Sequence, residues 1–144
     1  MNVLVDTSVW SLALRRPRGK LNATERRTVA ELEELVREGR AMLAGIVRQE
    51  LLSGVNDMRA FDALKTRLRA FDDVAMETDD YEEAANCFNL CRARGVSGSA
   101  IDFLLCATAI RRNLALFTTD GDFRRYAHHT GLRLHQARSG QESP

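Results

Sequence analysis

The chain has 144 residues, 44% hydrophobic and 28% charged, which is the size and composition of one folded domain with a single core rather than of a disordered or fibrous segment. No apolar run approaches the length of a membrane span, and Met1-Asn2 leads straight into an apolar run without the basic segment of a signal peptide, so a soluble cytoplasmic protein is expected. A net charge of +1 decides nothing about nucleic acid, and three cysteines do not suggest a disulfide framework.

Residues 2–5 form a short apolar strand that ends at Asp6. A short helix over 7–14 follows, then a loop with Arg15, Arg16, Arg18 and Lys20. Trp10 and Leu14 belong either to the core or to an apolar groove suited to a partner's helix. Asn22 and Glu25 have capping-box spacing, which predicts a helix to about Glu38 with Val29, Leu32, Leu35 and Val36 on one face and Gly39 as its C-cap. Met42 to Ala44 reads as a second strand, and Ile46 to Ser53 as a short helix that carries Glu50 and stops at Gly54. An amphipathic helix over 57–70 puts Met58, Phe61, Leu64 and Leu68 on its apolar face. Val74 to Met76 is a third strand.

Thr78 is expected to cap the next helix, whose Asp79, Asp80, Glu82 and Glu83 complement the positive end of the helix dipole and are not counted as site residues. Gly95 ends it. Ser99 caps a helix to about Asn113 with Asp102 at its third position, where Asp102 taken alone reads as the reciprocal partner of the cap. Residues 115–118 form a strand, 122–129 a helix, and 132–134 a last weak strand. The domain is expected to span 1–135, with a polar, frayed tail over 136–144.

Strands alternating with helices predict an α/β fold, a single three-layer α/β/α domain with a mainly parallel central sheet. Ligands of open parallel sheets bind beyond the carboxyl ends of the strands. Asp6 and Asp120 stand at two such ends, and Glu50 and Asp102 on intervening helices, with Asp122 as a further candidate. Gathered together, these carboxylates repel one another unless protons or a cation neutralise them. A donor set made only of oxygen favours Mg²⁺ or Mn²⁺.

Of the 21 basic residues only Lys20 and Lys65 are lysines. The arginines after Trp10, with Arg111-Arg112 and Arg124-Arg125, read either as a phosphate-recognising rim around the acids or as solvated faces and helix ends. Cys87, Cys91 and Cys106 read as inert thiols. His128, His129 and His135 read as surface residues, and convergent ligands for zinc are missing.

Four stretches together resemble the PIN-domain proteins, specifically VapC-type toxins of bacterial and archaeal toxin–antitoxin pairs. They are Val3-Leu4-Val5-Asp6-Thr7-Ser8-Val9-Trp10, Gln49-Glu50-Leu51-Leu52-Ser53-Gly54, Ile101 to Ala109, and Leu116-Phe117-Thr118-Thr119-Asp120-Gly121-Asp122-Phe123. The resemblance runs from Val3 to about Leu134. It implies an endoribonuclease that uses Mg²⁺ or Mn²⁺, acts on structured RNA such as transfer RNA, forms a homodimer and is blocked by a VapB-like antitoxin. The catalytic positions it implies are Asp6, Glu50, Asp102 and Asp120, with Asp122 as an additional metal position. Ser8 and Thr118 are the hydroxyls it implies for orienting ligands. Glu50 is left open as a metal ligand or a base.

Two other enzyme classes start from a strand and an aspartate. A haloacid-dehalogenase-like phosphatase wants a second Asp where Ser8 stands. A phosphorylated receiver domain wants paired acids at the first strand end and a later lysine, and none follows Lys65. The remaining alternative is a PIN-like module that binds RNA or a partner without cutting.

Overall fold

The computed structural model describes residues 1–138. In chain order the elements are β1 (Val3–Val5), α1 (Thr7–Leu14), a turn of 3-10 helix (Arg18–Lys20), α2 (Ala23–Arg37), β2 (Ala41–Ala44), α3 (Gly45–Leu52), α4 (Met58–Leu68), β3 (Asp73–Val74), α5 (Thr78–Arg92), α6 (Ala100–Arg111), β4 (Ala115–Phe117) and α7 (Asp122–His129). The four strands form one parallel sheet in the order β3-β2-β1-β4. Helices flank it, so the three-layer α/β/α expectation holds. No helix among the described residues is long and apolar enough to cross a membrane.

Strand order explains why the strands are apolar throughout. Val3, Leu4 and Val5 are fully buried in the central strand, and Leu116 in its neighbour β4, because both sheet faces are covered. Burying each such side chain contributes about 1.5–3 kcal/mol. The chain moves from β1 to β2 to β3 on one side, then crosses to β4 on the other. The switch point therefore lies between β1 and β4, where an open parallel sheet leaves a crevice at its carboxyl end.

Helix α6 is the most enclosed of the helices among the described residues. Its seven consecutive residues Phe103–Ala109 are all buried, a helix apolar all round rather than on one stripe. Helix α2 follows its sequence signals closely. The Asn22 side chain accepts the Glu25 N–H at 2.8 Å, and the Glu25 carboxylate accepts the Asn22 N–H at 3.0 Å, completing the capping box. Gly39 closes it at φ 70°, where a side chain would be strained.

Several local expectations are corrected. Val36 and Met58 are exposed, because α2 and α4 bury narrower faces than their periodicity suggests. The third strand shrinks to Asp73–Val74. Glu77, not Thr78, precedes α5 as its N-cap, and the Glu77 N–H donates to Asp80 at 2.7 Å. The weak strand at 132–134 reduces to a single bridge between Leu134 and Leu116, so the sheet gains an edge contact rather than a strand. Of the expected tail, residues 139–144 lie outside the described residues. Arg138 donates to Glu31 at 3.0 Å and to Glu38 at 2.8 Å, which fastens the end of the described chain to α2.

Candidate active site

The β1–β4 ladder runs on through Asp6, whose N–H donates to the Phe117 carbonyl at 2.9 Å. Asp6 is also the N-cap of α1, but its main-chain carbonyl accepts Val9 N–H and Trp10 N–H while its side chain caps nothing. An aspartate at this position ordinarily spends its carboxylate on the helix. Here Asp6 is 8% exposed, and its carboxylate is left for other partners.

Those partners are two hydroxyls. Ser8 Oγ donates to Asp6 Oδ2 at 2.9 Å and Thr118 Oγ1 donates to the same oxygen at 2.8 Å. Each hydroxyl also accepts a backbone N–H at 3.0 Å, Ser8 from Thr119 and Thr118 from Asp120. A hydroxyl has one proton to give. With both protons on Asp6, the 3.3 Å contact between Ser8 and Thr118 is oxygen against oxygen. The direction of the network is thus set from backbone amide to hydroxyl to carboxylate. It fixes Asp6 and leaves its Oδ1 without a hydrogen-bond partner among the described residues.

The other acids arrive from three elements. Glu50 is half-buried on α3, Asp102 is half-buried in the first turn of α6, and Asp120 is exposed beyond β4. Burial holds the Glu50 carboxyl above its ordinary range, and the charges of Asp6 and Asp102 push it the same way. The Thr7 hydroxyl, buried and without a hydrogen-bond partner among the described residues, lies close enough to act in the opposite direction. Burial likewise raises Asp102, with the charges of Asp120 and Asp6 adding to it, while the Tyr126 hydroxyl donates to Asp102 Oδ2 at 3.1 Å and offsets part of the rise. Asp102 is therefore within electrostatic reach of Asp6, Glu50 and Asp120, and Glu50 is within reach of Asp6.

Asp122 is employed differently. Its carboxylate pairs with Arg125 at 2.5 Å, and its N–H donates to Asp120 Oδ1 at 2.9 Å, so both acids help start α7. Asp102 is not the reciprocal cap partner its position suggests: its N–H donates to Ser99 Oγ at 3.1 Å while its carboxylate faces Tyr126. Tyr126 and Gly98 escape a sequence reading. Tyr126 is 1% exposed and anchors Asp102 from α7, and a Cβ at Gly98 would collide with the Tyr126 hydroxyl. Nothing local marks either residue, since 24 positions separate Tyr126 from the acid it orients.

The donor chemistry fits a hard divalent cation: carboxylate oxygens, mutually repelling, with one fixed by hydroxyls from behind. Among the described residues, however, no three His, Cys, Asp or Glu side chains converge tightly enough to hold an ion as they stand. The acids share a region and a charge problem without yet forming a ligand cage.

The remaining candidates resolve as structural groups. Burial pushes the Cys87 thiol up to about 12 and the Cys91 and Cys106 thiols upward, so all three are kept protonated and inert. His135 is not a surface residue: it is half-buried and shares a 2.7 Å hydrogen bond with buried Glu31. Arg111 and Arg112 turn to buried Asp80 rather than to the acids. Trp10 is core, 2% exposed and edge-on to Phe71, yet it also floors a cleft of about 390 Å³ shared with Leu14, Leu32 and Leu68.

The chain matches the family model described as PIN domain over residues 3–129. Among solved structures it is similar to FitAcB from Neisseria gonorrhoeae, at 23% identity and a TM-score of 0.73, over 94% of this chain and 97% of that one. It is also similar to VapBC2 from Rickettsia felis bound to a DNA fragment from its promoter, at 18% identity and a TM-score of 0.71, over 94% of this chain and 98% of that one. VapBC-1 from nontypeable Haemophilus influenzae matches at 16% identity with a TM-score of 0.70, over 96% of this chain and 100% of that one. At these identities the likeness is one of fold. None of the curated proteins compared matches the chain.

Proposed function

The chain belongs to the PIN-domain family, and from that premise we propose that it is a divalent-metal-dependent endoribonuclease, the toxin of a VapBC-type pair. The observation that supports this reading is the gathering of acids around Asp102 beside the end of β1: the charges of Asp6 and Asp120 act on Asp102, and those of Asp6 and Asp102 act on Glu50. Four acids from two strand ends and two helices have no structural need for one another's company. Their shared cost is relieved by a cation.

In this reading Asp6, Asp102 and Asp120 hold Mg²⁺ or Mn²⁺, with Glu50 a further ligand or a base. A divalent ion bound there supplies a Lewis acid for the phosphate and makes a ligated water acidic enough to lose a proton near neutral pH. The residues do the rest. Ser8 and Thr118 keep Asp6 in one rotamer, so Oδ1 is offered in a fixed position. Tyr126 does the same for Asp102. Glu50, whose carboxyl is held up, is suited to take the proton of the attacking water. The water oxygen bonds to phosphorus as the bond to the leaving ribose oxygen breaks, and that oxygen takes a proton from solvent, giving two RNA fragments.

Structured RNA such as transfer RNA is the proposed substrate class, and a homodimer is the proposed assembly. A small antitoxin is the proposed partner, and the cleft floored by Trp10 offers it an apolar seat. A second reading, a module that binds without cutting, draws on one observation: the acids do not stand at common ligating distance. Incubation of a transfer-RNA pool with Mg²⁺, with Mn²⁺ and with EDTA separates the two. Discrete, metal-dependent fragments are expected, and Asp6→Asn is expected to lower the rate at least about a hundredfold, the scale of removing a group that stabilises transition-state charge. Equal cleavage by parent and variant would overturn the assignment of Asp6.

A further inference from the structure

A groove of about 380 Å³, lined mostly by polar residue types and within the usual size range of ligand clefts, opens beside the Asp6 network. It runs between α1 and the start of α2, and its walls include Ser8, Ser11, Arg16, Thr24, Thr28 and Thr119. Ser8 belongs to both places: it lines the groove and donates to Asp6 Oδ2 at 2.9 Å. Whatever occupies the groove is therefore one side chain away from Asp6.

Arg16 is preset at this groove. Glu25 Oε1 is held by the Asn22 N–H at 3.0 Å, and Glu25 Oε2 accepts Arg16 Nη1 at 2.9 Å. The capping box thus positions Glu25, and Glu25 positions the guanidinium. The Arg16 side chain is 56% exposed, and its remaining N–H groups make no hydrogen bond among the described residues. Glu25 is the one carboxylate on the groove wall, and both of its oxygens are engaged.

Hydroxyls and a guanidinium match phosphate oxygens and ribose hydroxyls. Among the described residues no aromatic ring lines the groove, so they give it no platform for stacking bases. Asp6 is only 8% exposed, so a phosphodiester must come down to it. An unpaired strand can do so, whereas the backbone of a duplex stays on the surface of its helix.

We infer that this groove seats the sugar–phosphate backbone of an unpaired RNA segment next to the scissile phosphate, with Arg16 on a phosphate of that segment. The inference rests on the ribonuclease reading above and adds the path of the substrate strand. Contact is to backbone and not to bases, so sequence preference arises elsewhere on the protein.

The test is binding of a fluorescently labelled, unstructured oligoribonucleotide to the full chain in EDTA, followed by anisotropy from about 50 to 200 mM salt. Arg16→Ala is expected to weaken binding about tenfold at the low-salt end and to reduce the slope of log K against log salt by about 0.7, the single-strand value for one phosphate. The loss should be equal for two oligonucleotides of unrelated sequence. Arg16→Lys keeps the charge and should restore the slope. Arg59→Ala, on the exposed start of α4, should change neither quantity. Unchanged affinity and slope in Arg16→Ala would overturn the inference, as would a loss confined to one sequence or an equal Arg16-dependent affinity for duplex RNA. Cleavage in Mg²⁺ is scored separately on the same proteins. Arg16-dependent binding without any cleavage removes the ribonuclease reading and keeps the groove. Cleavage with Arg16-independent binding does the reverse.

Discussion

Glu50 and Asp102 hold carboxyls that burial, and the charges around them, keep above their ordinary values of 4.5 and 3.8. For an acid raised in this way, the stabilising contribution is complete below the ordinary value and is lost as pH rises through the raised one. At neutral pH both residues therefore cost stability, and the cost is greatest where the proposed chemistry operates. Glu50→Gln is expected to raise the thermal midpoint at pH 7 in EDTA, and the gain should vanish below about pH 4, where parent and variant are both uncharged at this position. A midpoint that falls at pH 7 would mean that Glu50 makes a favourable contact outweighing the repulsion. Glu31 behaves in the opposite sense. Burial works to raise it, but His135 and Arg138 outweigh burial and hold it below its ordinary value, so its contribution is lost on acidification.

At the scale of elements, α5 and α6 are joined by a charged bolt rather than by packing alone. Asp80 is fully buried and accepts Arg111 Nη1 at 2.6 Å and Arg112 Nη1 at 2.5 Å. Arg112 also reaches the Ala75 carbonyl just before α5. These hydrogen bonds hold the Asp80 carboxyl far below the usual range, with Arg112 the largest contributor. The bolt sits at the far end of α6 from Asp102, so it sets the position of the helix that delivers that acid. Asp80→Asn leaves two guanidinium groups facing a neutral amide. Breaking a buried pair from one side costs about 3–5 kcal/mol, and the partial exposure of both arginines places the expected loss near the lower figure. Urea unfolding should show a lower midpoint with an unchanged slope. A loss under about 1 kcal/mol would reduce the bolt to an ordinary surface pair.

At the scale of the whole molecule, the proposed metal site joins parts of the chain far apart in sequence: the end of β1, α3, the start of α6 and the segment after β4. A cation held there would cross-link most of the fold. Mn²⁺ is therefore expected to raise the thermal midpoint in a concentration-dependent way, by a free energy of about 2.7 kcal/mol at a hundred times its dissociation constant. Asp6→Asn should abolish the effect. A midpoint indifferent to Mn²⁺ and Mg²⁺ in the parent would argue against a metal centre whatever the RNA assay gives. The topology makes this coupling possible, because the order β3-β2-β1-β4 puts the first and last strands side by side.

Much of this protein is determined by short-range features that a sequence displays directly. The capping box at Asn22, the glycine stop at Gly39 and the apolar runs of β1 and β4 depend on neighbours within a few residues, so each is legible without a structure. The candidate acids Asp6 and Asp120 were legible for the same reason, since Asp6 comes directly after β1 and Asp120 two threonines after β4, where an open parallel sheet presents its carboxyl edge. Tertiary structure alone decided what depends on distant partners. It put the Ser8 and Thr118 protons on one oxygen of Asp6, turned Asp102 toward Tyr126 instead of its own cap, and gave Asp122 to Arg125. It also turned Asp80 from one dipole-facing acid among several into the buried partner of two arginines. The physical reason is common to all of these. Helix and strand signals are local and repeat along the chain, whereas the partner of a buried polar group is whichever donor the packing brings within about 3 Å.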